Sequence, residues 1–383
     1  MNPNALYYQD SHCTQFQSRV TGCRPQKNLW AVTLAETAFY PEGGGQPCDQ
    51  GLLGDARVLD VREQEGEIVH LCDRPLEPGA LVEGRLDWAR RFDLMQQHSG
   101  EHILSGIIHA AYGFHNVGFH MGADTVTIDF DGIIPQEDLP GLEARANEAI
   151  WKNLEVKSWF ASGEELASLP YRSKKPLSGL VRLVAFPGYD LCACCGTHVS
   201  RTGEIGLLKL LSWAKFHQGV RMEMVCGGRA LGYLSRIYEQ NRLVSQAFSA
   251  KPMETGEAAR KVLSDLEAAK ARAAGLEARV FDALAEAHRG SLRPLLFEPG
   301  LTPDSLRRLA DKLGDLCQGP CFVLSGDDES GYRYALCTRE GDLRPLSKAL
   351  NATLNGRGGG KPGFIQGSLQ ANRAQVEAFW REH

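Results

Sequence analysis

Two short clusters constrain this chain more than anything else in it: His98-Ser-Gly-Glu-His102 and Cys194-Cys195-Gly196-Thr197-His198. Each carries two metal-competent side chains at i and i+4. On a helix that spacing puts both on one face, a turn apart, near enough for two imidazoles to share an ion. A Cys/His pair from a distant segment completes a four-ligand zinc set. Either pair alone reads equally well as ordinary core or surface residues. Together, with the second embedded in Cys-Gly-Thr-His, they point to one shared zinc site at His98, His102, Cys194 and His198. Only Cys194 keeps the i, i+4 relation to His198; Cys195 is the alternative ligand, and Cys192 stands close by.

At 383 residues the chain suits two or three domains. Its 43% hydrophobic and 23% charged residues fit a soluble globular protein, and no apolar run is long enough to cross a bilayer. The first ten residues lack the basic start and apolar core of a secretory signal. Eleven cysteines without framework spacing fit reduced thiols, and so a cytoplasmic protein. Cys317 and Cys321 repeat the i, i+4 spacing with no histidine near and read as small core residues. The net charge of −5 excludes a chain coated in positive charge but not nucleic-acid binding, which depends on local clusters. Arg172, Lys174, Lys175 and Arg182 form one such cluster, and Arg357 and Lys361 flank a glycine run. Each is also readable as a solvated face.

The fold class expected is α+β. Residues 1–88 read as short strands with Gly and Pro punctuation, among them Leu29-Trp-Ala-Val-Thr-Leu34, Ala56-Arg-Val-Leu-Asp-Val61, Glu67-Ile-Val-His-Leu71 and Leu81-Val-Glu-Gly-Arg-Leu86. This spacing suggests a small β-barrel or sandwich. From Trp88 to Tyr112 apolar residues recur at helical spacing, which places His98 and His102 on a long helix. A strand over 125–130, a helix over 139–156 and strands near 181–184, 205–211 and 220–225 follow. The domain over 89–228 is therefore expected to lay helices on one face of a mostly antiparallel sheet. Residues 229–290 turn helical, and Val262, Leu266, Ala269, Ala273, Leu276, Val280 and Ala283 alternate spacings of four and three, a thin heptad seam. A coiled-coil arm or helical hairpin is expected, although a helix packed on its own domain has the same pattern. Residues 291–383 form a separate small α/β domain, with strands near 294–297, 321–324, 332–336 and 363–366 and a helix over 302–316.

The metal pairs stand in an ordered series of motifs. Phe39-Tyr-Pro-Glu-Gly-Gly-Gly-Gln-Pro-Cys-Asp-Gln-Gly51 precedes them; its Gly43, Gly44 and Gly45 let backbone approach a ligand and leave N–H groups to cradle an anion or sugar, though a hairpin turn needs the same residues. Arg201-Thr-Gly-Glu-Ile-Gly206 and Arg221-Met-Glu-Met-Val-Cys-Gly-Gly228 follow. In this order the series resembles the editing domain of alanyl-tRNA synthetase and its free-standing AlaX-type relatives. Leu354-Asn-Gly-Arg-Gly-Gly-Gly-Lys-Pro-Gly-Phe-Ile-Gln-Gly367 is similar to the glycine-rich signature of the synthetase's C-terminal domain, which points to the long form of the family.

The resemblance implies a zinc-dependent deacylase for tRNA(Ala) mischarged with serine or glycine. His98, His102, Cys194 and His198 match the family's zinc positions, and Gln46 matches a glutamine that lies in the editing pocket. The C-terminal domain and the arm would contact tRNA, with Arg357 and Lys361 on phosphates, and 255–290 or the C-terminal domain would pair two copies. Accepting serine while rejecting alanine calls for polar groups that satisfy a hydroxyl; Gln46, Thr33, Asn116 and His120 are the candidates. Glu101 is a candidate general base beside the metal, or equally a solvent-facing residue. His98-Ser-Gly-Glu-His102 also fits the inverted zinc-protease pattern H-x-x-E-H, in which that glutamate is the base. That reading leaves Cys194 and His198 without a purpose. The editing domain of threonyl-tRNA synthetase and a tRNA-binding module with a structural zinc are further alternatives.

Overall fold

Alternating burial closes the N-terminal strands on themselves. In a computed structural model that describes residues 5–173, 177 and 179–383, a short helix α1 (Leu6–Gln9) leads into β1 (Gln15–Gln26), β2 (Leu29–Leu34), β3 (Gly51–Leu53), β4 (Ala56–Gln64), β5 (Glu67–Cys72) and β6 (Leu81–Leu86). These form a closed barrel in the order β1-β2-β5-β4-β3-β6. Closure, rather than a sandwich, leaves no strand edge unpaired. Along β4, Ala56 and Val58 point inward, and a register shift between Val58 and Asp60 then resets the phase. Val61 instead of Asp60 joins Val20, Val32, Phe39 and Leu53 in the barrel core. The three-residue β3 is too short to leave a periodic signal.

Helix α2 (Trp88–Tyr112) starts on Asp87, whose side chain accepts from the Arg90 N–H, and stops on Gly113 in the left-handed conformation. It is buried on nearly every side, from Leu94 through Ile108. One neighbour is the antiparallel sheet β12-β13-β8-β7, built from β7 (Asn116–Met121), β8 (Val126–Phe130), β12 (Leu208–Phe216) and β13 (Gly219–Cys226). Gly100 permits that approach, because a Cβ there would lie 2.2 Å from Cys226 Sγ. Another neighbour is the sheet β11-β10-β9, from β9 (Lys157–Ala161), β10 (Val181–Phe186) and β11 (Asp190–Ala193). Helix α3 (Leu139–Trp151) packs on α2 and ends five residues before the expected 156, where Asn153 takes a left-handed φ of 49°. The short α4 (Gly163–Ser168) follows β9, and α5 (Gly227–Ala247) follows β13.

The chain divides into two units, Met1–Leu243 and Val244–His383. In the second, β14 (Leu295–Phe297), β15 (Cys321–Asp327), β16 (Gly331–Cys337), β17 (Arg357–Lys361) and β18 (Phe364–Leu369) form a sheet in the order β14-β15-β16-β18-β17. Successive residues of β15 face opposite sides, so the sheet carries two cores. Phe322 and Leu324 pack with α8 (Arg344–Thr353) and α9 (Arg373–Glu382); Cys321 and Val323 pack with α7 (Pro303–Leu316) and the end of α6 (Thr255–Ala287).

The helical stretch over 229–290 is two helices interrupted over 248–254, where Ser249 has a left-handed φ and Pro252 removes a donor. The heptad residues Val262, Leu266, Leu276 and Val280 are solvent-exposed along α6, and only Phe281 and Ala285 near its end are buried. The glycine run Arg357-Gly-Gly-Gly-Lys361 is a strand, β17.

The barrel is pinned to α2 by an ion pair without solvent access. Arg91 is 0% exposed and its Nε donates to Asp49 Oδ1 at 2.9 Å. Its remaining donors reach Asp49 Oδ2, Ser11 O and Ala38 O, while the Tyr40 N–H also donates to Asp49. Removing one member of such a pair strands the other charge in the interior, at about 3–5 kcal/mol. Arg91→Ala is therefore expected to lower unfolding stability by about 3–5 kcal/mol in denaturant titrations. A loss under about 1 kcal/mol would mean the pair is not the strut described.

Candidate metal centre

The inward face of α2 sets His98 and His102 one turn apart, their ring centroids separated by 5.2 Å. Cys194 and His198 come from the irregular segment that follows β11, so the second i, i+4 pair is joined by a turn and not by a helix. Cys194 Sγ lies 3.4 Å from His98 Nε2 and 3.6 Å from His198 Nε2. Ligand atoms of all four residues lie within 4.8 Å of one another. Nitrogen and sulfur donors at about 2.0 and 2.3 Å from one tetrahedral ion stand about 3.5 Å apart, so the donor set and its spacing fit zinc.

The electrostatics fit as well. Burial opposes a thiolate at Cys194, but the three surrounding imidazoles outweigh it and hold the group well below the ordinary thiol range. Burial pushes His198 down to about 3, which keeps it neutral. At His102 burial also disfavours charge, yet Cys194 and Asp190 raise it to about 10. A thiolate among imidazoles, with a site that welcomes positive charge, is what a bound cation requires.

Each helix histidine is fixed through its second nitrogen. His98 Nδ1 meets Gln46 Oε1 at 2.9 Å, which leaves Nε2 for the ion. Gln46, fully buried, also accepts from the Thr197 N–H at 3.0 Å and donates to Thr197 Oγ1 at 2.8 Å. His102 Nδ1 meets Asp190 Oδ2 at 2.8 Å, and Arg172 clamps Asp190 with two bonds of 2.7 and 2.9 Å. Phe119 stacks on His98 and Phe186 on His102. Asp190 went unrecognised in the sequence, Arg172 stood out only as one of a basic cluster, and Thr197 only as part of the Cys194–His198 motif.

The glycine segment delivers Gln46 to this place. Gly43 and Gln46 exchange backbone hydrogen bonds of 3.1 and 3.0 Å across a two-residue turn. Gly44 and Gly45 both have left-handed φ values, 61° and 86°, which the turn requires. A Cβ at Gly45 would also lie 2.7 Å from the Phe119 ring. Likewise a Cβ at Gly196 would lie 2.1 Å from the His98 ring, so only glycine lets the Cys194–His198 segment close over it. Cys195 Sγ points away from the donor group, 4.0 Å from Tyr40 Oη. Cys192 belongs to a second potential group with His102 and Asp190.

Other candidates are scattered. Glu101 and Asn116 are both buried and joined: Glu101 Oε1 accepts from Asn116 Nδ2 and Ser105 Oγ, each at 2.5 Å. Asn116 Oδ1 has no partner among the described residues. Thr33 on β2 accepts from Thr21 Oγ1 of β1, and His120 is exposed on β7. Arg357 and Lys361 end an exposed strand of the second unit. Arg172 and Arg182 are internal and not a solvated face; Lys174 and Lys175 fall outside the described residues.

Comparison with known proteins adds what geometry cannot. Residues 181–221 match the family described as the threonyl and alanyl tRNA synthetase second additional domain, and residues 291–381 match the DHHA1 domain. The chain is 29% identical over 396 residues to the alanyl-tRNA editing protein Aarsd1-A of Xenopus laevis, covering 97% of this chain and 95% of that one. It is 32% identical over 243 residues to the alanyl-tRNA editing protein AlaX-L of Pyrococcus horikoshii, covering 61% and 60%. An alanine–tRNA ligase from Ignicoccus hospitalis is 35% identical over 260 residues, covering 64% of this chain and 28% of the ligase. Over nearly its whole length the chain is similar to alanyl-tRNA editing proteins, and the two domain matches fall within that similarity.

Proposed function

We propose that this protein hydrolyses, in trans, the ester of tRNA(Ala) wrongly charged with serine or glycine, using zinc held by His98, His102, Cys194 and His198. The observation that carries the reading is the convergence of three buried histidines and the half-buried Cys194 at spacings suited to one tetrahedral ion. When bound, zinc supplies Lewis-acid chemistry, polarising the ester carbonyl and easing the deprotonation of water. The chain's own residues position everything else. Gln46 and Asp190 fix the tautomer and the direction of the two helix histidines. Asn116, tethered by Glu101, presents an unpaired buried acceptor to the hydroxyl of a seryl group; an alanyl group leaves that acceptor unpaired, which costs about 1–3 kcal/mol. Glu101 then acts through Asn116, because its carboxylate is already engaged there.

A second reading has one observation in its favour. Four protein donors ordinarily close a zinc site, and a closed site is structural. Zinc would then hold the pocket in shape for the tRNA 3′ end. We assign the chemistry to the barrel and the sheet domain, 1–88 and 89–228. The arm, 229–290, and the C-terminal domain, 291–383, are assigned to tRNA binding and to pairing two copies, in the cytoplasm. Support for pairing is the exposed heptad stripe on α6, which has the pattern of a helix–helix seam. Leu266→Glu with Leu276→Glu is expected to convert a dimer to a monomer in sedimentation experiments; an unchanged dimer moves the interface elsewhere.

Metal analysis should find about one zinc per chain. His98→Ala and Cys194→Ala are expected to lose it, and Gln46→Leu to weaken it by about 10–100-fold in chelator competition. Full zinc in the Cys194→Ala protein removes that ligand assignment. In single-turnover assays the protein should deacylate Ser-tRNA(Ala) rapidly, spare Ala-tRNA(Ala) and leave peptides intact. Asn116→Ala should lower kcat/KM for Ser-tRNA(Ala) by about tenfold with zinc retained. Undiminished activity in a folded, zinc-stripped protein would establish the structural role for the metal.

A further inference from the structure

The three histidines of the donor group are not held alike. His98 and His102 each turn Nδ1 to a side-chain oxygen, of Gln46 and of Asp190. His198 has no such support. Its Nε2 lies 3.6 Å from Cys194 Sγ, and its Nδ1 is buried without a hydrogen-bond partner among the described residues. It also stands on an irregular segment, so no helix or strand ladder fixes its place. A ligand held neither by its ring nor by regular structure needs its support elsewhere.

That support is on the main chain. The peptide unit joining His198 to Val199 is gripped at both ends. Its carbonyl accepts from Ser11 Oγ at 2.8 Å, and its N–H donates to Ser99 Oγ at 3.2 Å. Ser99 is fully buried on α2 and stands between His98 and His102, so one short stretch of helix supplies two donors and half the grip on a third. Ser11 follows α1, and its surroundings are locked in turn. The Ser11 carbonyl accepts from Arg91 Nη1 at 2.8 Å. His12 meets Glu204 Oε2 at 2.8 Å through Nε2 and Ser200 Oγ at 3.2 Å through Nδ1, and its ring lies 5.3 Å from that of Trp88. Glu204 is itself tied to α2, because its carbonyl accepts from Gln96 Nε2 at 2.8 Å.

We propose that Ser11 and Ser99 are positioning residues for the metal, which set the fourth ligand, His198, through its peptide and not through its ring. The proposal rests on the zinc reading of the four donors and is independent of which ester the protein cleaves. A flip of this peptide would reverse both its C=O and its N–H and carry the His198 side chain off the shared donor group. Hydroxyls at opposite ends of the planar unit oppose that flip. The donor group is thereby preorganised before an ion arrives, so less ordering is left for the binding step.

The test loads full-length wild type, Ser11→Ala, Ser11→Thr and Ser99→Ala with cobalt(II) in place of zinc. It reads the visible absorption of the bound metal and its loss to a competing chelator, with circular dichroism to establish that each variant is folded. Both alanine variants are expected to lose metal affinity by about 10–100-fold and to change the cobalt ligand-field band. Ser11→Thr keeps the hydroxyl and should return to near wild-type affinity and spectrum. Ser11 is only half-buried, so its truncation leaves the core intact and carries the test even where Ser99→Ala does not fold. Folded alanine variants with wild-type affinity and spectrum overturn the proposal, and so does Ser11→Thr no better than Ser11→Ala. Those outcomes leave the zinc reading standing, whereas a wild type that takes up no cobalt ends both.

Discussion

A thiolate in the interior is the constraint on which the rest of the first unit depends. An isolated buried anion costs several kcal/mol and is tolerated only among groups that offset its charge. Cys194 is surrounded by His98, His102 and His198. Those rings must themselves be satisfied, and each requirement recruits another element. His98 turns its second nitrogen to Gln46, which the barrel supplies through the Gly43–Gln46 turn. His102 turns to Asp190 on β11, and Asp190 needs Arg172. Barrel, helix and three-stranded sheet thus meet at one donor group because each owns a hydrogen-bond partner for it.

The same logic operates at the beginning of α2. Arg91 and Asp49 neutralise each other without solvent, and their spare hydrogen-bonding capacity goes to the backbone of Ser11, Ala38 and Tyr40. Ala38, Tyr40 and Asp49 bracket the glycine turn. The ion pair therefore fixes where the turn begins and ends, and through Gln46 it helps decide how His98 points. Stability and metal geometry are coupled along a single covalent stretch, 38–49.

What the sequence disclosed and what it concealed follow from how local each signal is. The pairing of His98 with His102 was legible because helix periodicity is local. The convergence of Cys194 and His198 with them was legible from the chemistry of the donors, although a turn and not a helix joins that pair. Gln46 was legible only through the resemblance of its glycine-rich segment to the family's editing loop, and its contact with His98 is a tertiary fact that no spacing encodes. Asp190 left almost no trace for the same reason, and Arg172 was visible only as one of a basic cluster, not as the partner of Asp190. Thr33 and His120 were singled out by residue type alone; Thr33 is engaged by Thr21 of β1, and His120 is in solvent. The break over 248–254 was masked by helix-favouring residues on both sides, although Pro252 stood within it.

The glycine run of the second unit illustrates how one composition serves two physical purposes. Read as Arg-Gly-Gly-Gly-Lys, it suggests two cations set around a flexible turn to meet a phosphate. In the fold it is β17, the outermost strand of the sheet, paired only with β18. Gly358 is required there because a Cβ would lie 2.2 Å from Tyr334 Oη, and Gly360 because one would lie 2.3 Å from the Phe364 carbonyl. Gly359 meets nothing within 4 Å, so packing places no demand on it. All five residues of the strand are exposed, and its outer row of donors and acceptors is flanked by Arg357 and Lys361. Charges at such an edge discourage another strand from adding to it. The same two cations beside open N–H groups also make the edge receptive to phosphate. Edge protection is an electrostatic property of the two cations that flank the strand.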